Sequence, residues 1–240
     1  MSISASNSAP PSPSRHGRRL ARKAAIGLVV FLVPASLFLW YIGVFGGNVR
    51  VVVPGVAYRS AELTGSNLGT VLKQDGIRTV INLRGGSMKN AWYRSELAEC
   101  AAHHVRHVDV PMSALRYPSP AALDGLLAAF DKGPYPVLFH CAGGADRSGL
   151  AGTLFLDVYR HVPLDAAENR QLTWRYGHMA FTETHFMNDF FTLYRNTGAG
   201  MPLRTWIVQK YPALYAALPS RDRGAGFDLT PTAPAKVGGT

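Results

Sequence analysis

The stretch PVLFHCAGGADRSG (136–149) constrains the fold more tightly than any other part of the chain. PVLFH (136–140) is a short apolar run, the length of a buried strand. Gly143 and Gly144 make the segment after it a flexible loop, and Ser148–His161 resumes with helical patterning. A buried strand that feeds a loop and then a helix belongs in a mostly parallel sheet with helices on both faces.

The rest of the chain fits that frame. RVVV (50–53) and VAYR (56–59) read as short strands around a Pro54-Gly55 turn. Leu63–Gln74 reads as a helix ending at Gly76, and TVINL (79–83) as a strand broken by Arg84-Gly85-Gly86. Asn90 caps a helix reaching about His104, VRHVDV (105–110) is the next strand, and Pro111–Ser119 is a loop. Ser119 as cap with Pro120 in the first turn starts a helix that reaches Lys132 and stops at Gly133. Beyond Pro163 the pattern is helical over Asp165–Arg175, Glu183–Arg195 and Pro202–Ala217. The expectation is an α/β domain over residues 49–219, with a mostly parallel central sheet flanked by helices. Residues 220–240, rich in Gly, Pro, Ala and Thr, read as a loose tail.

The N-terminal part is of another kind. Residues 1–23 read as a disordered basic segment carrying Arg15, Arg18, Arg19, Arg22 and Lys23 without an acid. Residues 24–45 then contain no charge, and a bilayer core takes roughly 20 apolar residues as a helix. Pro34 is tolerated in such a helix, and Trp40 and Tyr41 suit an interface. The run exceeds a signal-peptide apolar region of about 7–15 residues and no clear A-x-A site follows it, so an uncleaved anchor is expected. The basic flank orients the N-terminus to the cytoplasm and the domain outward. Arg outnumbers Lys (19 to 6), a hint of a GC-rich bacterial genome, which would make that side the periplasm. Net charge is +10, and half of the excess lies in residues 1–23. The remainder suits an anionic substrate or a lipid surface. No basic stripe interleaved with aromatics points to nucleic acid. Two cysteines form neither a disulfide framework nor a zinc pattern, and no metal or cofactor is expected.

The chemistry concentrates at Cys141–Arg147. A thiol leaving a buried strand sits at the carboxyl edge of the sheet, where such folds bind ligands. The helix that follows aims its N-terminus back at the loop, so the amides of Ala142, Gly143, Gly144 and Ala145 converge on an anion. Arg147 adds a fork for two phosphate oxygens. The same field favours the Cys141 thiolate, a nucleophile for phosphorus that would give a cysteinyl-phosphate later hydrolysed by water. Ser148 is placed to hydrogen-bond the sulfur. The spacing alone means little, because Cys100 and Arg106 share it; there the cysteine lies in a predicted helix and no glycine intervenes.

The segment from His140 through Cys141, Gly144, Arg147, Ser148 and Gly149 resembles the signature of the protein tyrosine and dual-specificity phosphatases, especially bacterial tyrosine-phosphatase-like and atypical dual-specificity members. The resemblance runs from about Val52 to Tyr194, with weaker likeness at Tyr58–Ala61, Ile81–Arg84 and Ser119-Pro120. It implies a metal-independent phosphomonoesterase with Cys141 and Arg147 as its essential pair. The loop 111–117, where a proton-donating Asp is expected, holds no carboxylate. Asp146 is similar to the acid proposed for some lipid-phosphatase relatives and is preferred. Asp109 is the alternative, although its place in a strand favours a structural role. Arg84 and Arg59 follow strands and are candidates for binding anions, Arg84 being the one assigned to substrate; arginines after strands are usually solvated. The cluster His103, His104, Arg106 and His107 reads as surface. A phosphotyrosine protein or a lipid or glycolipid phosphate would be the substrate, the latter favoured by a short tether and a basic domain. Two rival readings are a rhodanese-like sulfur transferase and a membrane-tethered phosphate-binding module without catalysis.

Overall fold

The computed structural model describes residues 15–224; the expectations for residues 1–14 and 225–240 lie outside the described residues. Two compact units divide at Ile42/Gly43. Arg15–Phe45 forms a helix, α1, with Pro34 inside it, and most of it belongs to the first unit. Ile26, Val30, Phe31 and Phe38 are exposed on it. Among the described residues, no helix is long and apolar enough to cross a membrane. The spanning helix expected over 24–45 is therefore not found among the described residues.

The second unit is a three-layer α/β domain. Its strands are β1 (Arg50–Val53), β2 (Ala57–Ser60), β3 (Thr79–Asn82), β4 (Arg106–Asp109) and β5 (Val137–His140). They lie in the order β1-β2-β5-β3-β4. The pairs β2/β5, β5/β3 and β3/β4 are parallel, and β1 turns back antiparallel on β2. β5 is the centre of the sheet, which explains why its sequence is apolar on both faces. Alternate residues divide between two cores. Val137 and Phe139 face a large cluster with Leu123, Phe130, Leu150, Phe190 and Trp206. Leu138 and Val80 face a smaller one with Leu68, Leu72 and Cys100.

The helices follow the sequence closely. They are α2 (Ser66–Gln74), α3 (Ala91–Ala102), α4 (Pro120–Lys132), α5 (Asp146–Arg160), α6 (Leu164–Gln171), α7 (Phe186–Thr197), α8 (Leu203–Gln209) and α9 (Tyr211–Ala217). Ser119 caps α4 as its sequence demands, its Oγ accepting from the Ala122 amide at 3.2 Å. Five expectations need correction. Residues 15–23, read as disordered, are helical. The helix read over 165–175 stops at Gln171, with a separate turn at Trp174–Tyr176. Asn90 precedes α3 without a side-chain cap bond. The helix read over 202–217 breaks at Lys210 because Pro212 falls in the first turn of a new helix, where its missing N–H costs no bond. The loose tail does not begin at 220: Tyr117 N donates to Asp222 O at 2.9 Å, and Gly224 N to Tyr117 O.

Candidate active site

The parallel strands all end on one edge, and the loop 141–145 closes that edge between β5 and α5. Gly144 sets its shape. With φ +66° it takes the left-handed conformation, and a Cβ there would fall 2.4 Å from Ala61 N and 2.6 Å from the Ser60 carbonyl carbon. No side chain fits, so glycine alone lets the loop lie against the end of β2. Gly143 has open space around its Cα and a negative φ, and the loop needs no glycine there.

Arg59 holds the loop from below. It is fully buried within β2, and it donates to Gly144 O (2.6 Å), Ala145 O (2.7 Å), Gln171 O (2.6 Å) and Gln171 Oε1 (2.9 Å). Burial pulls its pKa down to about 10, and the neighbouring Cys141, Tyr176 and Asp146 oppose that shift. A guanidinium satisfies four acceptors that would otherwise be buried unpaired. The expectation of a solvated Arg59 is thus wrong: β2 lies inside the sheet and every one of its residues is buried. From above, Asn48 donates to Gly143 O at 3.1 Å and to Tyr176 O at 2.8 Å.

Cys141 is buried at the root of this loop. Burial alone would raise its pKa. The charge of Arg147 and hydrogen bonds from the Ser148 hydroxyl and amide outweigh burial, and the net direction is downward despite the Asp146 carboxylate. Arg147 itself is pinned by two backbone carbonyls, Met112 O at 3.2 Å and Leu83 O at 3.5 Å. Its Nε is buried without a hydrogen-bond partner. A cation braced by the strand ends on one side, with a buried N–H to spare, fits an oxyanion. Ser148 also reaches Ser60 O, at 3.4 Å.

Asp146 opens α5, and its Oδ1 lies 2.7 Å from His178 Nδ1. Asp109 is engaged elsewhere: Asn82 Nδ2 donates to it at 2.9 Å and the Tyr93 hydroxyl at 2.5 Å. Arg84 does not stand free for substrate. It pairs with Glu62 and its guanidinium lies 4.2 Å over the Trp92 ring, because Glu62 follows β2 at the same sheet edge and bonds through its amide to Ala142 O. The surface reading of the histidine cluster also fails at one member. His107 Nε2 lies 2.6 Å from Glu96 Oε1, and His140 Nε2 lies 3.0 Å from Glu96 Oε2. Among the described residues no group of three or more His, Cys, Asp and Glu side chains is arranged to hold a metal.

Sequence reasoning missed Asn48, Glu96, His178 and the burial of Arg59. Only Arg59 left a signal, as a basic residue inside a strand. The others meet their partners across long stretches of chain.

The site brings together a buried cysteine whose ionisation is favoured, a loop shaped by Gly144 and a braced arginine in the first turn of α5. Residues 48–185 match the family model PTP-SAK, described as Swiss Army Knife protein, DSP-PTPase phosphatase domain. The match covers more than half of the chain, and the chain belongs to that family of tyrosine and dual-specificity phosphatases: it is a phosphoric monoester hydrolase. Similar solved structures include TpbA of P. aeruginosa, 22% identical with TM-score 0.47, covering 64% of this chain and 92% of that one. Another is the catalytic core of the PP-IP phosphatase SIW14 from S. cerevisiae, 16% identical with TM-score 0.49, covering 65% and 94%.

Proposed function

We propose that the enzyme works through a cysteinyl-phosphate on Cys141 and that its substrate is a phosphate carried by a membrane lipid or glycolipid. The chemical part rests on the unpartnered Arg147 Nε beside a thiol whose ionisation that same residue favours. Arg147 and the loop amides of 142–145 bind the phosphoryl oxygens, the sulfur attacks phosphorus, and the leaving oxygen takes a proton from Asp146. Water then attacks the cysteinyl-phosphate, and Ser148 stabilises the departing thiolate.

The substrate part rests on Asn48. That residue hydrogen-bonds the phosphate loop at Gly143 and follows the end of α1 by only three positions. At about 3.5 Å per residue, three residues reach roughly 10 Å. The uncharged run 24–45 would anchor the chain by a short tether, with the N-terminus cytoplasmic and the catalytic domain on the periplasmic side. The basic surplus of the domain favours an anionic surface.

The test compares turnover of micellar or vesicle-borne lipid phosphates with turnover of phosphotyrosyl peptides by the full chain. At least about tenfold higher kcat/KM on the lipid phosphates is expected; preference for the peptides refutes the lipid substrate but not the chemistry. Trapping of a covalent phosphate on Cys141 checks the intermediate. A persulfide on Cys141 with no phosphatase turnover would point instead to sulfur transfer, and phosphate binding without turnover to a binding module. Recovery of the full chain in alkaline-washed membranes, with residues 49–219 open to protease only from the periplasmic side, checks the anchor.

A further inference from the structure

Asp146 is one end of a hydrogen-bonded chain through the buried His178 and the partly buried Asn188 and Glu168, and the chain fixes where a proton must be. Asn188 Nδ2 donates to Glu168 Oε1 at 2.7 Å. The other Glu168 oxygen pairs with Arg195 at 2.5 Å, and Arg195 also holds Asp165. A carboxylate cannot face an amide oxygen, so the Asn188 amide has one orientation and its Oδ1 points at His178. The contact of His178 Nε2 with Asn188 Oδ1, 2.7 Å, then requires a proton on Nε2. The other ring nitrogen, Nδ1, lies 2.7 Å from Asp146 Oδ1. Two lone pairs cannot meet at that distance, so one further proton lies between them, on nitrogen or on oxygen.

We infer that His178 is a positioning residue that keeps a transferable proton on Asp146 for the leaving group. The inference rests on the phosphatase reading above. His178 is buried, while the Asp146 side chain keeps 23% of its surface exposed, so protons enter and leave through the carboxyl. In the first step sulfur bonds to phosphorus, the ester P–O bond breaks, and the leaving oxygen takes the shared proton from the Asp146 carboxyl. Nδ1 and Oδ1 are then left with opposed lone pairs. The pair is driven to recover a proton, which the attacking water supplies as its oxygen bonds to phosphorus and the S–P bond breaks, releasing the Cys141 thiolate. This supplies the acid and base that the loop 111–117 does not carry. The charged or titratable groups around the pair are Cys141 and Arg147 from the loop and α5, Arg59 from β2, Tyr176 beside Arg59, and Glu168 and Arg195 beyond Asn188.

The test is single-turnover release of the leaving alcohol from a series running from 4-nitrophenyl through phenyl to alkyl phosphates, with wild type and His178→Gln in the full chain. Glutamine fills the space and can donate to Asp146 but cannot exchange a proton. The loss should grow along the series, to about 100-fold for alkyl phosphates, where protonation of the leaving group counts most. The high-pH limb of the wild-type rate should disappear in the variant. An equal loss for every leaving group, or an unchanged pH profile, overturns the inference. In case the variant misfolds, nitrogen-15 spectra of the wild-type imidazole read the same point: Nε2 must carry a proton, and a bare Nε2 overturns it. Loss of all turnover in Cys141→Ser speaks to the cysteine mechanism alone, so the two failures are distinguishable.

Discussion

The chain contains two Cys-x5-Arg segments, and only one makes a site. Cys100 and Cys141 are both buried and both lie six positions before an arginine. Cys100 sits inside α3, in the smaller core beneath one face of the sheet, and its partner position Arg106 opens β4. Burial, with Glu96 and Glu99 nearby, pushes the Cys100 thiol up to about 12. Cys141 feels the same burial, but Arg147 and the Ser148 donors turn the shift the other way. Spacing in sequence is therefore empty until a loop brings the arginine back over the sulfur. Gly144 and the helix start do so at one place; at the other, Cys100 is held inside α3 and Arg106 at the start of β4.

The largest effect that tests this contrast is on turnover. Cys141→Ser should lower phosphatase activity by about 10,000-fold or more, to background, as removal of a nucleophile does. Cys100→Ser should stay within about twofold. A large loss from the second variant would break the comparison.

Next in size is thiol reactivity. At pH 7 the thiolate fraction of Cys100 is negligible, whereas that of Cys141 is raised by its neighbours. Iodoacetate should alkylate Cys141 at least about 100-fold faster, even after allowing for the lower nucleophilicity of the more acidic thiol. Vanadate should protect Cys141 and leave Cys100 unaffected. Mapping the labelled peptides over time checks both statements.

Gly144→Ala sharpens the same point from the loop side. The added methyl collides with Ser60 and Ala61 backbone, which cannot give way without moving β2. A shift of about 1 Å in the amides costs up to about 100-fold in kcat/KM, while Gly143→Ala, in open space, should stay within a fewfold.

Much of this was legible from the sequence, and what was not has a common cause. The strand–loop–helix unit, the Ser119 cap and the Cys141/Arg147 pair show themselves because their determinants are local: an apolar run, a glycine with no alternative, a hydroxyl before a proline. The partners of Asp146, Gly143 and His140 do not. His178 lies 32 positions from Asp146, and Asn48 lies 95 from Gly143. Such contacts depend on how helices and strands are laid side by side, and no periodicity in the chain records which polar side chain will face which. Arg59 and Arg84 show the consequence in opposite directions, one buried as a strut and one taken up by a carboxylate and an indole.

Glu96 ties the two cysteine regions together and supports the smallest of the effects. It stands on α3, one turn before Cys100, and pushes that thiol's pKa upward. Its carboxylate also reaches across to His107 and to His140, the residue just before Cys141. Burial would raise the Glu96 pKa, but the hydrogen bond with His107 and the close imidazole of His140 hold it down to about 2. A carboxyl depressed on folding contributes stability at pH values above its unfolded pKa of about 4.3, and loses it as pH falls toward its folded value. Glu96 is nearly inaccessible to solvent, so the contribution at neutral pH is on the order of 3 kcal/mol. Glu96→Gln should therefore lower stability by about that amount at pH 7, read from denaturant midpoints, and the difference from wild type should shrink between about pH 4 and pH 2. The same variant should let the Cys100 thiol titrate lower while changing kcat less than Gly144→Ala does. A difference that persists unchanged at pH 2 would mean that Glu96 acts through packing alone, and that the carboxylate does not connect the inert cysteine to the reactive one.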